Sequence, residues 1–313
     1  MGTVVISVDA ELGWGFHDLA NPPARRVAAA RGGWQRLLSL FDAHDVPATW
    51  AVVGHLFERH CDRTHADHPL GPDWFRRERG SWRDRPDLRF GRGLITDVRD
   101  ADVGHELASH TYSHVQFGDV TRDVARAEVE ASVAAAREFG VDTHSFVFPR
   151  NNVAHQDVLA DAGIRCYRGA NPSPASSVEK LRNALVDSRS PPLVHPERDE
   201  HGLVNVPASL FLYGFEDRPR DIVTPVRGDP ILRQVEAGLD AAASDEGVLH
   251  LWLHPNNLVD ASAERRMNRV LTAVAAHRDA GDVTVETMQA VAERTASASS
   301  ERAAAGRTAR HDC

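Results

Sequence analysis

The chain has 313 residues, 42% apolar and 26% charged, and carries a formal net charge of −9. That length and mix fit one large α/β domain with insertions, and no stretch approaches the roughly 20 apolar residues a membrane-spanning helix needs. The excess of acid argues against a polyanion-binding surface, so nucleic acid is not an expected partner.

In chain order, Thr3 to Asp9 reads as a buried strand, with no basic leader before it. Ala24 to His44 follows as a helix with Val27, Trp34, Leu37, Leu38 and Phe41 on one face, and Ala48 to Gly54 as a second strand. Residues 62–102 turn polar and Pro/Gly-punctuated around Trp74, Phe75, Trp82 and Phe90: an insertion, either beside the substrate or peripheral. A third strand is expected at His105–His110, then a helix near Thr121–Phe139 with Asp119 or Thr121 as its cap. Strands four to seven fall at Thr143–Phe148, Ile164–Arg168, Leu203–Pro207 and Val248–Leu253. Helices are expected at Gln156–Ala162, Pro230–Ala243 and Ala263–Asp279. The Ala/Ser/Arg-rich end, 296–313, lacks an apolar stripe and reads as a disordered tail. Alternation of strand and helix throughout predicts an α/β fold, a distorted (β/α) barrel of about seven strands occupying residues 1–295 with the insertion.

Positive charge is nearly all arginine, Lys180 being the only lysine; a saline cytoplasm and codon bias both account for this. Cys61, Cys166 and Cys313 are odd in number and widely spaced, so neither a disulfide framework nor a thiolate zinc site is expected, and a cytoplasmic setting fits.

Ionisable clusters sit at the ends of four of these strands. Asp9 and Glu11 are one residue apart and share a side if the backbone stays extended; the bland alternative is a pair of solvated acids. His110 and His114 would lie about one helical turn apart, a spacing at which both imidazoles can meet one divalent ion with a carboxylate completing the set. Arg150, in Phe148-Pro149-Arg150-Asn151, can orient a carboxylate, although a surface turn is as ordinary a place for it. His254 closes the apolar Leu251-Trp252-Leu253 run, where a titrating imidazole suits general acid–base work. Trp14, Tyr112, Asn151 and Trp252 are the candidate substrate contacts beside these motifs.

Asp9-Ala10-Glu11, His110-Thr111-Tyr112-Ser113-His114, Phe148-Pro149-Arg150-Asn151 and Leu251-Trp252-Leu253-His254 together resemble, in type and order, the motifs of the polysaccharide deacetylase family, the carbohydrate esterases with a NodB homology domain. The resemblance spans roughly residues 1–295. It implies a distorted, incomplete (β/α) barrel and a metal-dependent hydrolase of an amide on a sugar or glycan precursor. It further implies that Glu11, His110 and His114 hold one divalent ion, zinc or another ion that favours imidazole. Asp9 is then the general base oriented by Arg150, and His254 the general acid. Two departures stand out: Asp9-x-Glu11 replaces an adjacent acid pair, and Pro149-Arg150-Asn151 replaces an Arg-x-Pro-aromatic order. No Asp/Trp motif lies between Arg150 and His254. The rival expectations are a hydrolase of a ureide or formamide and an inactive sugar-binding barrel; a phosphoesterase lacks the metal-bridging acids it needs.

Overall fold

The computed structural model describes residues 1–170, 190–214 and 229–308, with side chains described as far as residue 298. Cys313 and the last five residues of the expected tail lie outside these.

Strand β1 (Thr3–Ala10) is buried along its whole length. A strand hidden on both faces belongs in the middle of a parallel sheet with helices outside it. β1 pairs in parallel with β2 (Thr49–Val52) on one edge and β9 (Val248–Leu253) on the other. From β2 the sheet continues through β3 (Glu106–Ser109), β4 (Ser145–Val147) and β5 (Cys166–Arg168) to β7 (Val204–Asn205), all parallel. Two-residue β6 (Glu197–Arg198) adds antiparallel to β7, β8 (Leu210–Phe211) lies beyond β9, and β10 (Thr284–Glu286) pairs with the start of β1.

One extended segment carries both β7 and β8. The amides of Val206 and Ala208 donate to carbonyls of Tyr167 and Gly169 next to β5; those of Ser209 and Leu212 donate to His250 and Trp252 on β9. The segment thus joins the two ends of the sheet, which curls round on itself. β1 to β5, β7 and β9 are the seven expected strands; β6, β8 and β10 are additional.

Helices α1 (Ala24–His44), α2 (Gly71–Phe75), α3 (Arg92–Arg99), α4 (Arg122–Glu138), α5 (Gln156–Asp161), α6 (Pro230–Ser244), α7 (Ala261–Asp279) and α8 (Met288–Thr308) follow or interrupt the strands. α1 buries the expected face, Val27, Trp34, Leu37, Leu38 and Phe41. Gly33 lets it close on the turn after β9: a Cβ there would stand 2.1 Å from the Pro255 carbonyl oxygen. Of the two proposed caps for α4, Thr121 is the one whose side chain accepts from the Val124 amide. The expected tail begins differently: α8 runs on to Thr308, past residue 296, because Ala, Arg and Glu sustain a helix without an apolar stripe.

The two-residue period of a strand sorts the barrel's interior into layers. Val5, Val147, Cys166, Val204 and Val248 form an apolar floor with Met288 and Val291 of α8 packed among them. Above it Ser7 and His250 continue the inward faces of β1 and β9, and Asp9 and Trp252 continue them again. The insertion is ordered, with α2, α3 and 3-10 turns at Gly80–Trp82 and Pro86–Arg89. Phe75, Trp82 and Leu88 are buried in it.

Candidate metal and acid–base centre

Glu11, His110 and His114 meet where β1 and β3 end. One donor atom from each lies within 4.8 Å of the other two, and all three residues are buried. Glu11 Oε2 stands 2.9 Å from His114 Nε2 and 3.7 Å from His110 Nε2. Asn256 Nδ2 donates to the other oxygen, Oε1, at 3.3 Å. Gly15 is needed here for close approach, since a Cβ on it would fall 2.0 Å from the Glu11 carboxyl. Burial alone would raise the Glu11 pKa; its neighbours, the charge of His254 first and the hydrogen bond and charge of His114 with it, outweigh burial and hold the carboxyl well below the usual range.

The loop between the histidines is not helical. Thr111 and His114 both take φ of 62°, a left-handed conformation that non-glycine residues seldom adopt. The expected one-turn spacing is therefore replaced by a folded-over turn that still brings both rings to Glu11. Buried Glu128 of α4 holds this turn, accepting from the amides of Tyr112 at 2.9 Å and Ser113 at 2.7 Å and from the Ser113 hydroxyl at 2.5 Å. The Ser113 hydroxyl accepts in turn from Trp74 Nε1 of the insertion, at 2.8 Å.

His110 tests whether a cation fits. Its Nδ1–H donates to the Val147 carbonyl at 2.8 Å, which leaves a lone pair on Nε2. That Nε2 is buried without a hydrogen-bond partner, and Glu11 Oε2, which faces it at 3.7 Å, is itself an acceptor. Two acceptors facing one another in a dry place are repulsive until something positive stands between them. Two imidazoles and a carboxylate are a donor set that suits a divalent ion such as zinc.

On the opposite side, Asp9 is gripped by Arg168, which is fully buried. Arg168 Nη1 donates to Asp9 Oδ1 at 2.6 Å and Nη2 to Oδ2 at 2.8 Å, a bidentate pair. Nη1 also reaches Ser7 Oγ at 2.9 Å, and Ser7 donates to His250 Nε2 at 2.9 Å. Burial pushes Asp9 up, but the charge and hydrogen bonds of Arg168 prevail and lower it. The guanidinium also stacks over Trp252, 4.5 Å from the ring centroid. His254 Nε2 stands between the two carboxylates, 3.8 Å from Asp9 Oδ2 and 3.7 Å from Glu11 Oε1. Its backbone is fixed by Asn257, whose side-chain oxygen accepts from the His254 amide.

Six expected residues therefore converge: Asp9, Glu11, His110, His114, His254 and, through Arg168, Trp252. Asn151 joins them, its side-chain oxygen accepting from Arg168 Nη2 at 3.1 Å. Arg150 does not orient Asp9. At φ of 56° its side chain turns to the rim, where it bonds Asp18 at 2.8 and 3.0 Å and the Gly15 carbonyl at 2.9 Å. Arg168 takes the role the sequence reading gave to Arg150. The signal for it was there, an arginine closing the short apolar strand Ile164–Arg168 at the same level as the other motifs. Trp14 is also displaced from its expected place. It is wholly buried between the insertion and the barrel, with Nε1 donating to the Arg89 carbonyl and its ring against His55 and Trp82. Tyr112 faces the insertion too, its hydroxyl donating to Glu58 at 3.1 Å.

Residues 27–167 match the polysaccharide deacetylase family. The chain carries a polysaccharide deacetylase family region. Glu11, Arg168 and His254 lie outside the matched stretch, so the fold, not the match, brings them to His110 and His114, which lie within it. Among solved structures, a Mycobacterium smegmatis protein described as a polysaccharide deacetylase is similar at 20% identity and a TM-score of 0.61, covering 95% of this chain and 91% of its own. Puue allantoinase follows at 13% identity and 0.58, covering 93% and 89%. A Pseudomonas aeruginosa PAO1 protein, again described as a polysaccharide deacetylase, stands at 13% and 0.57, covering 93% and 89%. At these identities the likeness establishes the fold. No curated protein matches the sequence.

Proposed function

We propose that this polysaccharide deacetylase family protein is a metal-dependent hydrolase that removes an acetyl group from the nitrogen of an amino sugar or glycan precursor. The observation that carries the reading is the pairing of an unsatisfied donor triad, Glu11–His110–His114, with a bidentate ion pair, Asp9–Arg168, on either side of His254.

Glu11, His110 and His114 would hold a divalent ion, and zinc fits the set. Such an ion acts as a Lewis acid on the amide carbonyl and makes water a better nucleophile at neutral pH. Asp9 accepts the proton of the attacking water, and Arg168 keeps its carboxylate ionised and aimed. His254 gives a proton to the departing nitrogen, so the C–N bond breaks to free amine and acetate. The proton on Asp9 then returns to His254 across their 3.8 Å separation, which restores both groups. Trp252 and Asn151, fixed against Arg168, are placed to bound the substrate.

The same chemistry serves a ureide or formamide, and the fold shared with the allantoinase structure favours keeping that reading beside the first. The intact donor set favours catalysis over a barrel that only binds sugar. The unbridged thiols of Cys61 and Cys166 fit a reducing compartment, and among the described residues no helix is long and apolar enough to cross a membrane. The deciding experiment offers purified protein, with and without added zinc, an N-acetylated amino sugar, a formamide and a ureide, and quantifies acetate, formate and ammonia. Zinc-dependent acetate release is expected. Formate or ammonia alone moves the assignment to the second reading, and no product from any substrate removes both.

A further inference from the structure

A second group of metal-donor side chains lies behind the first, at the root of the insertion. His55 sits in the 3-10 turn Gly54–Phe57 that follows β2, and Cys61 and His65 lie in the loop after it. One donor atom from each falls within 4.8 Å of the others. We propose that His55, Cys61 and His65 form a second metal centre, for a thiophilic ion such as zinc, which ties the start of the insertion to the turn carrying His110 and His114.

His55 is the decisive member. Its Nδ1 faces the Arg89 carbonyl at 3.3 Å, and a carbonyl only accepts, so the ring proton is on Nδ1. Nε2 is left with a lone pair, and it is fully buried with no hydrogen-bond partner. Cys61 Sγ stands 2.9 Å from His65 Nε2, close enough to share one proton, and also accepts from the Arg63 amide at 3.1 Å. His65 is held in place by stacking on Phe75 with centroids 3.8 Å apart.

Zinc–nitrogen and zinc–sulfur bonds in tetrahedral array set neighbouring donors about 3.3–3.8 Å apart, so the Cys61–His65 contact opens by less than about 1 Å to admit the ion. Binding releases the thiol proton to solvent and leaves a thiolate bonded to metal. Cys61 is partly exposed, which leaves the fourth position within reach of water. Two imidazoles with one thiolate select zinc or a similarly soft ion over magnesium or calcium. The coupling to the first centre is through backbone: the amides of Gly54 and His55 donate to the carbonyls of Thr111 and Tyr112 at 2.8 and 2.9 Å.

Cobalt(II) separates this centre from Glu11–His110–His114, which has no sulfur. Titrating cobalt into the metal-stripped full chain is expected to produce a thiolate-to-cobalt charge-transfer band in the near ultraviolet. The band should be lost in Cys61→Ser, appear with about tenfold or greater weakening in His65→Ala, and persist in His110→Ala and Cys313→Ser. No band in the unsubstituted chain overturns the proposal, as does a band that survives Cys61→Ser. A second measurement needs no change to the fold: zinc should slow alkylation of Cys61 about tenfold or more relative to chelator-treated protein, equally in His110→Ala. Alkylation unaffected by zinc also overturns it. Neither readout depends on turnover, so failure here leaves the deacetylase reading standing.

Discussion

The two sides of the cleft are built on opposite principles. On the β1–β3 side, Glu11, His110 and His114 come from two short segments, and their facing atoms lack enough protons to satisfy one another. On the β5–β9 side, Asp9, Arg168, Ser7, His250 and Trp252 come from three strands, and each Asp9 oxygen already accepts from a guanidinium N–H. On one side a buried imidazole nitrogen faces a carboxylate oxygen with no proton between them; on the other both Asp9 oxygens are already bonded, and the unpartnered atom is a donor, Arg168 Nε. Facing acceptors take up a cation; a carboxylate bonded through both oxygens is held still. Catalysis by a fixed, preorganised polar site needs both.

The largest effect should come from emptying the first side. His110→Ala or His114→Ala is expected to abolish metal binding and cut turnover by about 10³-fold or more, checked by metal content of the purified variants alongside acetate release. Full metal occupancy in either variant would remove these residues from the centre. His254→Ala should leave the metal in place and lower kcat by about 10²- to 10⁴-fold, with KM little changed. Equal turnover by the variant would show that His254 does not carry the proton.

Next comes the Asp9–Arg168 side. Arg168→Met strands the Asp9 carboxylate in a dry interior, and breaking a buried pair in this way costs about 3–5 kcal/mol. Urea titration at neutral pH should show that loss, and it should shrink on acidification as Asp9 takes up a proton. A constant loss down to low pH would mean that Asp9 is not the group left unpaired. The layer beneath makes a related prediction. Burial, with the charge of Arg168, lowers His250 to about 3, so it stays neutral in the fold while the unfolded chain binds a proton below its ordinary pKa of 6.5. The unfolded state then holds more protons between these values, so stability is full above about 6.5 and falls as pH drops toward 3. His250→Gln should flatten part of that fall in a series of urea midpoints.

This contrast also explains what could be read from the chain. The β1–β3 side is legible because each part is local: Asp9-Ala10-Glu11 and His110-x-x-x-His114 announce themselves within a few residues, next to strands whose apolar runs are plain. The opposite side is assembled from partners such as Asp9 and Arg168, which are separated by 159 residues. Arg168 has the sign of closing its strand, but no local motif ranks it above Arg150, which also follows a strand. Trp14 shows a similar limit, since an aromatic beside a motif can serve substrate or packing, and the fold of the insertion decides it. Cys61 gave no signal by spacing to other cysteines. Its partners are the histidines on either side, and their rings converge only because the 61–65 loop folds back with Arg63 and His65 at positive φ.

The smallest expected effect is the sharpest test of the contrast. Arg150 and Arg168 each bind an aspartate with two nitrogens, and a count of ion pairs would rank them equally. Yet Arg150 and Asp18 keep 36% and 22% of their side-chain surface in water, against 0% and 4% for Arg168 and Asp9. Water screens and replaces the first pair, so Arg150→Met should cost no more than about 1 kcal/mol and change kcat by less than about threefold, a shift of under 1 kcal/mol. Measured beside Arg168→Met in the same urea titration and the same acetate assay, it should separate the two arginines clearly. If Arg150→Met instead lowers kcat as far as Arg168→Met, the rim arginine reaches the substrate itself, and the charge that matters lies at the mouth of the barrel as well as in its wall.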